Sequence, residues 1–223
     1  MAGRAALAHL AHLVHLRDLF TGALVLLERA QAHGALVLGR SMFETSLMLG
    51  AMEDPTTREA VVLRWFQDSN NRSTRLVNAM VAAGATADLQ EHEQRLRDSN
   101  RDMAMARSEL GVIRLPPSLV PETEAKRQGR DEDLPNYITA HAFTHGGYLA
   151  LSHRMTHHAE NERTTYHLNQ AHNLDLIEAT ANFTGRSALL GLRSGCRIFE
   201  VAEPASLAEL LELIEFPDIE GVE

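Results

Sequence analysis

The stretch Leu36-Val37-Leu38-Gly39-Arg40-Ser41-Met42-Phe43-Glu44-Thr45-Ser46-Leu47-Met48 constrains the fold more than any other. Leu36, Phe43 and Leu47 fall at i, i+7 and i+11, the spacing of one buried stripe on a helix. Arg40 lies on that stripe, and Glu44 follows one turn later, within reach as an i, i+4 partner. A guanidinium directed into a helical core needs acceptors, because burying an unpaired charge is strongly unfavourable. The chain must therefore bring other polar side chains to this segment and build a buried polar centre there.

The rest of the sequence also favours helices. Aromatic residues make up only 5% of the 223 residues, while alanine, leucine, glutamate and arginine dominate. A chain that is 44% hydrophobic and 23% charged can bury a sizeable core. The expected fold class is all-α, a single bundle of about five to seven helices. The bundle is expected over residues 1–200, with an acidic amphipathic helix and tail over 201–223.

Charge is spread unevenly. The net charge is −9, and from Glu200 onward there are eight acidic residues and no basic one, so the first 199 residues carry −9 + 8 = −1. This balance speaks against a nucleic-acid footprint while leaving room for a local basic groove. The lone Cys196 excludes an intramolecular disulfide and a cysteine-rich zinc site. His9, His12 and His15 interrupt the apolar N-terminal residues, and no run approaches the ~18 apolar residues of a membrane span. The expectation is a cytoplasmic protein without a membrane segment.

Punctuation along the chain separates the helices. A pattern over Ala5–Ala32 precedes a candidate break at His33-Gly34, and Asp54-Pro55-Thr56-Thr57 stops one helix and starts the next. The pattern over Thr56–Ala83 has a polar middle, Gln67 to Ser73, which is exposed, kinked or lines a cavity. A highly charged helix over Ala87–Leu110 reads as half of a hairpin. Residues Gly111–Pro135 hold four prolines and a charge run, Lys126 to Asp133, and read as the longest irregular connection. The polar segment His157–Glu162 interrupts, then a long helix runs over Asn169–Phe199 and an acidic one over Ala205–Glu215. Gly191 and Gly195 inside the long helix suit close helix packing.

After Pro135, the residues Tyr137, His141, Thr144, His145 and Tyr148 share one helix face at i, i+4, i+7, i+8 and i+11. A row of hydrogen-bonding groups on one side of a helix is hard to bury without partners. His141-x3-His145 also has the one-turn spacing of helical metal sites, with Glu44 or His153 as a third ligand. No nucleophile elbow, phosphate loop or dinucleotide fingerprint is present. An arginine and a histidine separated by four to six residues, as in helical ribonucleases of the HEPN type, occur only at Arg4 to His9.

The pairing of Arg40-Ser41-x2-Glu44 with Tyr137-x3-His141-x3-His145 resembles a widespread bacterial all-helical family that carries only a domain-of-unknown-function label. That family has an arginine-serine-x-x-glutamate helix and, roughly a hundred residues later, tyrosine, serine and histidine at the spacing found here. The likeness spans about residues 5 to 200, and His141 stands where the family usually has serine. The resemblance implies an all-helical fold, with a distant likeness to HEPN and abortive-infection proteins.

The leading expectation is a polar cleft formed by Arg40, Glu44, Tyr137, His141 and His145, with Tyr148 as a further ligand contact. It would bind, or act by acid/base chemistry on, a small or phosphate-bearing substrate. Arg40 anchors the anion, Glu44 orients Arg40, and His145 transfers the proton. One alternative is a divalent-metal enzyme with His141 and His145 as ligands. The other is a non-enzymatic interaction protein, its network structural and its acidic C-terminal helix docking a partner or a second copy as a homodimer.

Overall fold

The structure, a computed structural model, describes residues 2–84, 89–145, 155–160, 163–168 and 174–214. The fold is all-α, with eight α-helices among the described residues: α1 (Ala2–Glu28), α2 (Ala32–Ala51), α3 (Arg58–Ala82), α4 (Leu89–Glu109), α5 (Pro121–Arg127), α6 (Leu134–Thr144), α7 (Leu174–Ile198) and α8 (Ala205–Ile214). A 3-10 turn, Asp131–Asp133, joins α5 to α6. A two-stranded antiparallel hairpin, β1 (Met155–Glu160) and β2 (Arg163–Leu168), pairs Met155 with Leu168 and Glu160 with Arg163. It occupies the segment expected to be only a polar interruption, and it places His157 opposite Tyr166 and His167 opposite Thr156.

The chain divides into two compact units, residues 1–8 with 51–120 and residues 9–50 with 121–223. In the first, α3 and α4 form an antiparallel hairpin. Asp54 starts it, accepting from the Thr56 backbone N–H at 2.8 Å and from the Thr56 hydroxyl at 2.7 Å. Arg58 then caps the preceding chain by donating to the Met52 and Glu53 carbonyls. The polar middle of α3 pairs with α4 through side chains: Asn70 donates to Asn100 at 2.9 Å and accepts from Ser99 at 2.9 Å. That explains how Asn70 can be buried among charged neighbours.

In the second unit α2 is the central helix. Leu36, Met42, Phe43, Leu47 and Leu49 are buried, confirming the apolar stripe. The break before it falls at Arg29–Ala30, earlier than His33-Gly34. Ala30 takes φ 54°, while Gln31 N–H returns to the Leu26 carbonyl at 2.8 Å, a left-handed cap that satisfies the last carbonyls of α1. Helix α7 presents a face of small and hydroxyl residues, Thr180, Thr184, Ser187, Gly191 and Gly195, all buried. A Cβ on Gly195 would stand 2.8 Å from Leu13 Cδ2, and one on Gly191 would strike Leu16. These glycines allow close approach of helices, as their positions suggested. Helix α8 buries Leu207 and Leu211, with Ile214 against Gly185 of α7. Leu210 and Leu213 of the same helix stay exposed.

On α1, His9 and His12 are buried and His9 meets Phe199 edge-on, whereas Leu7, Leu10, Val14, Leu24 and Val25 are exposed. Residues Ala6–Glu28 are long and apolar enough, by length and composition alone, to cross a membrane. The expectation that no run approaches a membrane span, drawn from the interruption by His9, His12 and His15, does not hold by length and composition.

Candidate functional site

The site grows from one helix turn of α2 and one face of α6. Arg40 Nε donates to Glu44 Oε1 at 3.0 Å, the i, i+4 pair expected from the sequence. Helix α6 opens at Leu134, with Pro135 in its first turn where a missing N–H costs nothing. Tyr137 projects from that turn and its ring is buried against Phe43, with centroids 5.1 Å apart. Its hydroxyl donates to the same Glu44 Oε1 at 3.1 Å. At the other end of α6, His145 is the C-cap, its backbone N–H returning to His141. Its ring lies within hydrogen-bond distance of Arg40, Nη1 to Nε2, at 3.2 Å.

The proton positions follow from donor chemistry. A guanidinium only donates, so His145 Nε2 accepts, and the neutral imidazole carries its proton on Nδ1. Burial, then the Glu44 charge and the hydrogen bond to it, push the Tyr137 hydroxyl up to about 12, with Arg40 opposing. Tyr137 therefore stays a donor at neutral pH. The result is a chain of bonds, Tyr137 to Glu44, Arg40 to Glu44 and Arg40 to His145. The His141 ring stands 4.5 Å from that of His145 and 6.4 Å from that of Tyr137. Five of the six residues singled out for the cleft come together; Tyr148 lies outside the described residues. Thr144, expected on the same face, instead turns its hydroxyl back to the Ala140 carbonyl at 2.8 Å.

Arg40 is not driven into the core. Its side chain is 19% exposed and that of Glu44 is 38% exposed, while His141 and His145 are exposed. The network therefore forms a rim that solutes can reach.

The expected metal pair, His141 and His145, gains no third ligand among the described residues. His145 Nε2 is taken up by Arg40, and Glu44 Oε1 is shared by two donors. Among the described residues no group of three His, Cys, Asp or Glu side chains could hold a metal ion. The other third ligand considered, His153, lies outside the described residues.

The buried charge cluster stands elsewhere, where the sequence suggested only a connection. Helix α5 ends on Gly129 at φ 67°, with Arg130 N–H bonded to the Ala125 carbonyl at 2.8 Å. That cap turns Arg130 inward. Its Nε donates to Asp133 Oδ2 at 2.9 Å and its Nη1 to Ser46 Oγ at 2.7 Å, and its guanidinium lies 4.6 Å above the Phe43 ring. Arg186 of α7 reaches Asp133 Oδ1 at 3.3 Å and also pairs with Glu132. Burial pulls the Arg130 guanidinium below its ordinary value, with Asp133 resisting. The available signal was Gly129 followed by an Arg-x2-Asp pair immediately before Leu134-Pro135. Within a run of mixed charges, it resembled a solvated face.

No curated protein and no solved structure matches this chain. A family model does match, over residues 7–163, a span that holds Arg40, Glu44, Tyr137, His141 and His145 and leaves Arg186 outside. By that match the chain belongs to a family of unknown function, DUF5677, in agreement with the resemblance drawn from its arginine-serine-x-x-glutamate and tyrosine-histidine-histidine helices.

Proposed function

We propose that the rim of α2 and α6 binds a small anionic, phosphate-bearing substrate and moves a proton on it. The observation that carries this reading is the position of Arg40, fixed between the Glu44 carboxylate and Nε2 of His145. Glu44 holds the guanidinium in place, and Tyr137 holds Glu44. Nη2 of Arg40 makes no hydrogen bond among the described residues, which leaves it for an incoming anion. A phosphate oxygen takes guanidinium N–H groups in a forked, charge-assisted contact. When the anion competes for Nη1, His145 Nε2 is released to accept a proton from the substrate. His141 lines the same approach.

Exposure supports a binding role over a purely structural one, since an ion pair reached by water contributes little to stability. The same reading places the protein in the cytoplasm, with α1 acting as a soluble helix. Arg17 and Asp18 pair in the middle of α1, and His9 and His12 turn inward.

The test follows the histidine ring signals by NMR while adenosine 5′-monophosphate is added to the full chain, and assays cleavage of a short RNA in parallel. Expected are saturable shifts of His145 and His141 that vanish in Arg40→Met, and any turnover should disappear in His145→Ala. A spectrum unmoved at millimolar nucleotide would sink the proposal.

A further inference from the structure

Helix α1 turns two faces to different surroundings. His12, Leu16 and Ala23 are buried, and Leu13 and Leu16 reach Gly195 and Gly191 of α7. Packing therefore fixes which side of the helix points outward. The outward side carries Leu10, Val14, Arg17, Thr21 and Leu24 in succession, all exposed. Their spacing alternates four and three residues, the heptad repeat that keeps one seam against a partner helix. Ala11 and Val25 flank the seam and are also exposed.

The charges on this face are arranged about its midpoint. Arg17 and Asp18 stand at the centre, pair with each other at 2.7 Å and are largely exposed. Such a pair contributes little to the stability of the lone chain. Leu10 and Val14 precede it, and Leu24 and Val25 follow it. A second copy laid antiparallel, across a two-fold axis at this pair, brings each guanidinium to the other copy's carboxylate. The same axis sets Leu10 and Val14 against Leu24 and Val25. A parallel copy in register would instead set Arg17 on Arg17 and Asp18 on Asp18.

We propose that two copies of this chain associate through α1, as an antiparallel helix pair about a two-fold axis at Arg17 and Asp18. A lipid surface fits less well. The charged pair interrupts the apolar face at its middle, where acyl chains offer neither charge a partner. Helix α8 offers no equivalent face. Its exposed Leu210 and Leu213 stand beside Glu209 and Glu212, and the helix has no basic residue, so two copies would meet with like charge.

The experiment measures the mass of the full chain by sedimentation equilibrium. The wild type is expected to be dimeric at about 100 μM and to dissociate on dilution. Arg17→Asp and Asp18→Arg each put like charges across the axis and should weaken the dimer by about tenfold or more. Both side chains are exposed, so the fold is kept. An equimolar mixture of the two variants restores opposite charges and should recover the dimer, which a loss of folding or of helix propensity would not do. A wild type that stays monomeric at that concentration overturns the proposal, and its co-sedimentation with phosphatidylcholine–phosphatidylglycerol vesicles would assign the face to lipid. A dimer indifferent to both variants, or two monomeric variants whose mixture stays monomeric, overturns it equally.

Discussion

Arg40 and Arg130 make similar contacts in very different surroundings. Each donates through Nε to a carboxylate, at 3.0 Å and 2.9 Å, and each lies by an aromatic ring. The rings involved, Tyr137 and Phe43, stack on one another. Yet the Arg130–Asp133 side chains are 6% and 1% exposed, against 19% and 38% for Arg40 and Glu44. Burial is what separates the two. In the dry cluster every lost partner leaves a charge that water cannot reach, so the cluster is committed to holding α5, α6, α2 and α7 together. At the rim water can replace a lost partner, and so can a ligand.

The largest expected effect tests the dry side of this contrast. Asp133→Ala leaves Arg130 and Arg186 without their shared acceptor and should cost about 3–5 kcal/mol, measured by urea unfolding of the full chain. A loss below about 1 kcal/mol would mean that water enters the cluster and the two arginines are not different in kind.

Tyr137→Phe probes the boundary between the two regions, since its ring is in the core and its hydroxyl at the rim. At neutral pH the variant should lose about 1 kcal/mol with the bond to Glu44. The folded state raises the hydroxyl from its ordinary 10 to about 12, so it favours the protonated form. That stabilisation is complete below about pH 10 and is lost as pH rises through about 12. The gap between the wild type and the variant should therefore close between these pH values, and parallel curves would remove Tyr137 from the network.

The smallest expected change in stability belongs to Arg40→Met, below about 1 kcal/mol. Paired with the large loss in Asp133→Ala, it would sharpen the contrast. A loss of several kcal/mol would erase it and make the rim a structural device.

How far the sequence could be read depended on helix length. The stripe Leu36, Phe43, Leu47 and the pair Arg40–Glu44 are local periodic signals, and so is the spacing of Tyr137, His141 and His145. Each survives folding because a long helix keeps its own geometry. Arg130 was missed because α5 is only 7 residues long, too short for a periodic pattern and flanked by prolines that suggest a loop. Its partners Ser46 and Arg186 are distant in sequence and carry no shared motif. Arg40 itself was expected in the core and stands at its edge, because the role foreseen for it there is filled by Arg130. The number of helices rose to eight for the same reason, α5 adding one where a loop was expected.

The contact at Gly39 bears on how finely the rim is placed. A Cβ there would stand 2.8 Å from Thr184 Cγ2 and 3.1 Å from the Phe183 ring, so α2 and α7 touch backbone to side chain one residue before Arg40. Such a contact acts as a datum: α2 can neither slide nor roll against α7 without collision, and Arg40 inherits that fixed origin. Tolerances of about 0.5 Å decide whether a charged group meets its target, and here they are set by the smallest side chain available. Any larger residue at position 39 would shift the zero of the whole network while leaving each of its members in the sequence.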